Sequence, residues 1–318
     1  MGIVDPSDLL RHSLLRLSKA TAVRDLIERA PMSRAVVRRF IPGAREADVV
    51  RAATELHSVG KLVTIDYLGE DTVYLEQAQH TRDAYLGLLR ALSQQGLTRD
   101  ARAEVSLKLT ALGMLLTDGH QIALDHARTI CQAAANAGTT VTVDMEDHTT
   151  TDAILTIVKE LRQDFPSTGA VLQAYLRRTE ADCADFADAG SRVRLCKGAY
   201  AEPESVAFQD GDAVDKSYVR CLKVLMKGAG YPMVASHDPR IIEIAAALAG
   251  RQGREPKSFE YQMLYGIRPD EQQRIADRGD QMRVYVPFGD EWYGYLMRRM
   301  AERPANVGFF LRGLATRG

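Results

Sequence analysis

The sequence is poor in the features that mark most specialised classes of protein. It has four cysteines, Cys131, Cys183, Cys196 and Cys221. None is spaced C-x-x-C and none is grouped with histidine at zinc-finger spacing. Reduced thiols in a cytoplasmic protein are expected, not a disulfide scaffold or a cysteine-built metal centre. Charge of one sign is also lacking. The formal net charge is −1, so there is no basic field to hold nucleic acid. No apolar run approaches the ~18 residues that cross a bilayer; the most apolar stretch, 241–249, is broken by Glu243. The opening MGIVDPSDLLRHS lacks the basic-then-apolar pattern of a signal peptide. Finally, neither G-x-G-x-x-G nor G-x-x-x-x-G-K-[ST] occurs, and a doubly wound nucleotide-binding sheet usually carries such a loop after its first strand. The 46% apolar and 26% charged content is ordinary for a folded globular chain.

What is present is a pattern repeated eight times. Short β-rich runs stand at 61–68, 104–110, 139–146, 170–176, 192–199, 232–238, 258–264 and 282–289. A longer helix-like stretch follows each. One begins at Asp152 with Ile154, Leu155, Val158 and Leu161 at helical spacing. Another opens at Asp212 and stops at Gly228, with Val214, Tyr218, Leu222 and Leu225 on one face. Alternation of strand and helix implies parallel strands joined by crossover helices, and eight units is the count of a (β/α)8 barrel, an α/β fold. The first 57 residues precede the first strand and read as a helical arm, with Pro31 and Pro42 separating short helices. Residues 1–45 hold eight Arg and one Lys against three Asp and one Glu. Such an arm could be a solvated helix face or a peripheral contact with an anionic membrane. The barrel is expected over residues 58–318.

In a barrel of this kind the active site lies at the C-terminal ends of the strands. Those ends are loaded with polar groups. Lys108 ends the second run, and Asp144 and Glu146 end the third. Gln173 lies on the fourth, Arg194 on the fifth ahead of Lys197-Gly198-Ala199-Tyr200, His237-Asp238 on the sixth, and Glu260 and Gln262 on the seventh. The last helix carries Tyr295, Arg298, Arg299 and Glu302 at i, i+3, i+4 and i+7, on one face. Two guanidinium groups side by side suit a carboxylate, which Arg binds bidentately. The neighbouring tyrosines would wall a small, partly apolar body. Asp144, Glu146 and His148 alternate, so they would share a face able to hold a divalent ion, but Lys108 and Arg194 nearby oppose a cation. No metal is expected. A Schiff-base aldolase using Lys108 or Lys197 stays open as an alternative on the same barrel.

The motifs DYLGE (66–70), SLKLT (106–110), VDMED (143–147), LQAYLRR (172–178), RLCKGAY (194–200), SHD (236–238), FEYQMLYG (259–266) and YLMRRMAERPANVGFF (295–310) occur in one order. In these the chain resembles the proline dehydrogenases, in their short monofunctional bacterial form. The resemblance implies a distorted (βα)8 TIM-type barrel that holds FAD without a Rossmann fold, and so accounts for the missing glycine fingerprint. It implies oxidation of L-proline to Δ1-pyrroline-5-carboxylate, with electrons passed to a membrane quinone and the next oxidation left to a separate pyrroline-5-carboxylate dehydrogenase. It places Lys108, Arg298 and Arg299 on the proline carboxylate, and Leu264, Tyr285 and Tyr295 on the ring. It places Arg194 near the flavin N5 and gives Asp144 the ordering of the cationic cluster. Met145, Gln173, Lys197, Gly198, Ala199, Ser236, His237, Gln262 and Glu302 would line the FAD, and Glu70 would pair with Arg298 as a gate. The chain departs from some relatives at Ala201, where they have an aromatic residue, and from many at Asp238, where they have an Asn.

Overall fold

A computed structural model of the chain describes residues 37–188 and 190–296. Eight parallel strands close into a barrel in sequence order: β1 Leu62–Tyr67, β2 Ala103–Leu107, β3 Val141–Val143, β4 Gly169–Gln173, β5 Arg192–Cys196, β6 Tyr231–Ala235, β7 Glu260–Leu264 and β8 Met282–Phe288. The closing pair β1 and β8 has the longest register, from Leu62 opposite Arg283 to Tyr67 opposite Phe288. Helices α1 Glu46–Ser58, α2 Leu75–Gln94, α3 Gly119–Ala137, α4 Thr151–Asp164, α5 Thr179–Asp185, α6 Gly211–Lys227, α7 Pro239–Arg251 and α8 Pro269–Asp277 accompany them. Among the described residues no helix is long and apolar enough to cross a membrane. The barrel expected from strand–helix alternation is therefore the architecture found.

Strand ends and helix starts correct the sequence reading. Seven of the eight strands stop earlier than their β-rich runs, β7 alone ending with its run, and β3 is only three residues long. Lys108, Asp144 and His237 consequently stand just beyond strand ends, on the loops of the C-terminal rim. Helix α6 is capped by Asp210, whose side chain accepts a hydrogen bond from the Ala213 amide, while Asp212 falls in the first turn. Likewise Thr150, not Asp152, precedes α4. An acidic residue in the first turn favours a helix through its dipole without serving as the cap, which is why Asp212 and Asp152 suggested starts.

The strands form a hydrophobic layer on their outer side and a polar one on their inner side. Val63, Ile65, Val105, Leu107, Val141, Val143, Leu172, Val193, Leu195, Val284 and Val286 are buried against helix residues such as Leu88, Leu92, Ile130, Ile154, Val158 and Leu222. Each such side chain contributes roughly 1.5–3 kcal/mol by leaving water. Alternate residues point inward. On β1 these are Thr64 and Asp66, on β2 Glu104 and Ser106, on β5 Arg192 and Arg194, on β7 Glu260 and Gln262, and on β8 Arg283 and Tyr285. All are buried except Tyr285, which is partly so.

The inner floor is ionic. Glu104 accepts from Arg192 at 2.7 Å, and the Arg194 and Arg283 guanidinium groups lie 3.8 and 3.9 Å away. Arg283 also pairs with Glu260 at 2.7 Å. Burial pushes the Glu104 pKa up, but the three guanidinium groups outweigh it and hold the group at about 2. At the rim, residues 37–40 are helical, and Phe40 and Ile41 pack with Leu68, Tyr293, Tyr295 and Leu296. Pro42 separates this turn from α1, as the sequence suggested; Pro31 lies outside the described residues. Gly266, at φ +73°, lets the Arg39 carbonyl close onto it, where any side chain would overlap that oxygen.

Glu104→Ala should leave Arg192 and Arg283 buried without their shared counterion. We expect a loss of about 3–5 kcal/mol in urea unfolding. Glu180→Ala, at the exposed pair with Arg220, should cost about 1 kcal/mol or less. Equal midpoints for the two variants would contradict an ionic floor that the fold needs.

Candidate active site

A cavity of about 660 Å³ opens at the C-terminal ends of the strands. It is of a size to hold a large ligand. Its centre is Arg194. This guanidinium donates to Asp144 Oδ1 at 2.6 Å, to Ser106 Oγ at 3.0 Å and to Gln262 Oε1 at 2.6 Å. It also lies over the Tyr285 ring, 5.3 Å from its centroid. Asp144 is held by two further donors, Ser106 Oγ at 2.8 Å and the Tyr285 hydroxyl at 2.8 Å. Burial and the nearby Asp144 and Asp66 carboxylates raise the Tyr285 pKa well above its ordinary value, so the phenol keeps its proton. Gln262 donates its amide N–H to Glu260 at 2.5 Å, which ties this centre to the ionic floor.

Lys108, Leu264, Tyr285 and Tyr295 all line the cavity. Lys108 donates to Asp66 Oδ2 at 2.6 Å. Burial lowers the Lys108 pKa, but Asp66 and Asp144 outweigh it and the net shift is upward, so the group is an ammonium. Leu264 is fixed by its own amide, which donates to His237 Nε2 at 3.0 Å. That ring nitrogen is therefore an acceptor. Tyr295 is buried in the rim cluster with Phe40 and Ile41. Exposed Glu70 sits on the connection after β1. Arg298, Arg299 and Glu302 lie outside the described residues.

Most of the remaining predicted residues also line the mouth. Met145, Gln173, Lys197, Gly198, Ala199, Ser236 and His237 all line the cavity. Gln173 is oriented by donating to the Glu146 carbonyl at 2.8 Å. Gly198, at φ +113°, lies on the face of Tyr175, where a Cβ would overlap the ring. Only glycine allows that close approach. Lys197 is paired with Asp215 at 2.5 Å and with Asp238 at 3.1 Å, and Arg240 joins both carboxylates. Asp238 also caps α7, accepting from the Arg240 amide at 3.0 Å. These contacts hold the Asp238 carboxyl well below its usual range, the Arg240 hydrogen bond first among them.

One grouping read from the sequence does not form. Asp144, Glu146 and His148 were expected to share a face, but β3 ends at Val143 and the chain then turns. Asp144 points to Arg194. Glu146 accepts from the Thr110 amide at 3.0 Å and from the Thr110 hydroxyl. His148 pairs with Glu202. Among the described residues no three His, Cys, Asp or Glu side chains are placed to hold a metal ion. Three contributors went unmarked in the sequence: Asp66, Asp215 and Ser106. Asp66 and Ser106 were visible in principle, since each is two residues from another inward-facing position on its strand. Asp215 was not, because it reaches the site from helix α6.

Comparison with known proteins now adds to this geometry. The family model for proline dehydrogenase matches residues 49–312. The chain belongs to the proline dehydrogenase family. It is 37% identical over 306 residues to proline dehydrogenase 1 of Bacillus subtilis strain 168, covering 96% of this chain and 99% of that protein. It is 34% identical over 309 residues to the proline dehydrogenase of Deinococcus radiodurans, covering 96% and 98%. Among solved structures, proline utilization A from Bdellovibrio bacteriovorus, inactivated by N-propargylglycine, superposes with a TM-score of 0.78 at 25% identity. That likeness covers 90% of this chain and 34% of the larger one. The Schiff-base aldolase alternative is not favoured: Lys108 is held as an ammonium and Lys197 is paired twice, whereas a nucleophilic lysine must be neutral.

Within this member of the proline dehydrogenase family, Glu146 is a buried carboxyl whose pKa burial raises to about 7, against the usual 4.5. The folded state thus retains a proton that the unfolded chain gives up. Stability from this group is complete below about pH 4.5 and is lost as pH rises towards about 7. Glu146→Gln removes that loss. Relative to wild type, the variant should gain about 3 kcal/mol between pH 4 and pH 8 in denaturant titrations. Parallel stability profiles for the two proteins would show that Glu146 is not the group responsible.

Proposed function

We propose that this protein is an FAD-dependent proline dehydrogenase. It oxidises L-proline to Δ1-pyrroline-5-carboxylate, passes electrons to a membrane quinone, and leaves the product to a separate pyrroline-5-carboxylate dehydrogenase. The observation that supports this best is that one cavity is lined both by an ammonium, Lys108, and by the apolar and aromatic surfaces of Leu264, Tyr285 and Tyr295. That is the complement of a small ring bearing a carboxylate. In the same reading residues 58–318 form the catalytic barrel and residues 1–57 an arm. The protein works in the cytoplasm, with peripheral contact at the membrane where its quinone resides.

The residues present suit FAD. The cavity is large, and the Lys197–Gly198–Ala199 segment lines it, with Gly198 packed so closely on Tyr175 that a side chain there would displace this wall. Arg194, Met145, Gln173 and Gln262 would hold the ring system, and Lys197, Gly198, Ala199, Ser236, His237 and Glu302 the rest. FAD, when bound, supplies the hydride acceptor. The chain's own groups do the positioning. Lys108, Arg298 and Arg299 bind the carboxylate. Leu264, Tyr285 and Tyr295 orient the ring, which is the proximity term of catalysis. The same cations disfavour the substrate ammonium, so the amine loses its proton and its lone pair becomes available for the new C=N bond. Asp144 fixes Arg194 and Tyr285 in place. Glu70 and Arg298 close over the bound ring as a gate.

Two measurements test this. The purified protein should be yellow and should bleach anaerobically with L-proline. A colourless protein that stays inactive with added FAD would overturn the reading. Arg298→Ala and Arg299→Ala should each raise the KM for proline about 10–100-fold, the loss of one charged hydrogen-bonding partner, with FAD content unchanged. Wild-type proline kinetics in both variants would sink the carboxylate assignment.

A further inference from the structure

The two carboxylates at the head of the barrel are satisfied unequally. Asp144 receives hydrogen bonds from Ser106, Arg194 and Tyr285. Asp66 is fully buried and accepts a hydrogen bond from Lys108 on Oδ2. Its other oxygen, Oδ1, has no hydrogen-bond partner among the described residues. The Tyr285 hydroxyl, which is also near, donates to Asp144 instead. An ionised carboxylate oxygen left bare in a desolvated site is costly. It is tolerated here because Lys108 stands 2.6 Å from the neighbouring oxygen.

We propose that Asp66 is the proton acceptor of the pocket: when a carboxylate ligand takes a share of Lys108, Asp66 picks up a proton on Oδ1. This rests on the reading that Lys108 binds the substrate carboxylate. The argument is one of charge. Lys108 is an ammonium with three N–H groups, so it can hold Asp66 and a ligand together. A second anion at its head weakens the field that keeps Asp66 ionised and adds a like charge a few ångströms away. Burial already favours the protonated form of Asp66, with Lys108 the main opposing influence. The groups facing Asp66 from other elements do not substitute for it. Arg194 and Tyr285 are committed to Asp144. Tyr85, from α2, donates to the Ser106 carbonyl at 2.6 Å, and Glu70 on the same connection adds only negative charge.

For L-proline the proton has a natural source. The ammonium N–H bond breaks with its electron pair remaining on nitrogen, and an O–H bond forms on Asp66. The amine then carries the lone pair that oxidation requires, and no proton need leave a closed pocket. Protonation of Asp66 and neutralisation of the substrate are in this way one event. Asp66 thereby acts through Lys108 and the substrate nitrogen, and its test must read protons, not activity alone.

The test is calorimetric binding of cyclopentanecarboxylate, a ring carboxylate with no N–H, to the flavin-loaded protein at pH 7.5 in phosphate and in Tris. With no proton on the ligand, any proton taken up must come from the buffer. The wild type should therefore show a binding enthalpy that differs between the two buffers with the sign of proton uptake. Asp66→Asn keeps an acceptor for Lys108 but cannot titrate, and should bind with the buffer difference lost. Wild-type binding with no buffer dependence would overturn the proposal, and so would an undiminished dependence in Asp66→Asn. Glu146→Gln, which removes the other buried carboxyl titrating near this pH, should keep the buffer difference; its loss there would assign the proton to Glu146 and overturn the proposal even if Asp66→Asn fails to fold. Failure of the ligand to bind wild type at all would instead overturn the carboxylate-pocket reading on which the proposal stands.

Discussion

The bridge between Arg194 and Asp144 at the middle of the barrel is the contact on which the rest of the site depends. Arg194 is almost wholly buried, and it touches Thr64, Ser106 and Gln262 on three other strands and Asp144 just past the end of β3. A guanidinium can do this because its five donors spread in a plane. A lysine in the same place could satisfy three acceptors at most and would leave the others bare. Through Asp144 the bridge sets the Tyr285 hydroxyl, and through Gln262 it reaches Glu260 and the ionic floor. The orientation of the cavity wall is thus inherited from a contact that the ligand need never touch.

The barrel interior is accordingly built against the usual preference. Such barrels commonly fill their centres with branched apolar side chains. Here Glu104, Glu260, Asp144 and Asp66 face Arg192, Arg194, Arg283 and Lys108, equal numbers of each sign. Buried ion pairs add little net stability compared with well-packed apolar residues of the same volume, because desolvation consumes most of the Coulombic gain. The stability of the fold must therefore come from the outer layer, where Val, Ile and Leu of the strands meet the helices. This division frees the interior for chemistry. Charges are held in place by one another, in a low-dielectric space where their effect on a bound ligand is large.

How much of this was legible in the sequence follows from range. The barrel was visible because strand and helix periodicities are local, and the eightfold count needed no distant contact. Lys108, Arg194 and Gln262 were visible because residue type and strand-end position mark them together. What sequence spacing could not show was where each strand stops. Extending the third run to residue 146 placed Asp144, Glu146 and His148 on one face, whereas the ladder with β4 ends at Val143 and the three side chains go to three partners. Asp66 was passed over for a related reason. A β-rich run alone does not say which of its faces is inward, and it is the pairing of β1 with β2 that sets Asp66 beside Lys108, just past the end of the neighbouring strand.

The part of the mouth proposed to take FAD is ordered by a different device, and the contrast is informative. There the backbone, not buried charge, does the work. The Ala174 and Tyr175 amides donate to the Cys196 and Lys197 carbonyls at 2.8 Å, and Phe208 returns a bond to the Tyr175 carbonyl at 2.8 Å. Tyr175 also donates to Glu202 at 3.1 Å, and Glu202 in turn binds the His148 amide and ring. The loop 197–209 is thereby strapped to the loops after β3 and β4, and Gly198 lies flat on Tyr175 as a result. A large ligand with many contacts needs a shaped surface, which main-chain bonds supply without sensitivity to its charge. A small charged substrate needs a tuned field, which only the interior ion network supplies. Arg194, which lines the cavity and anchors the ion network, is where the two devices meet.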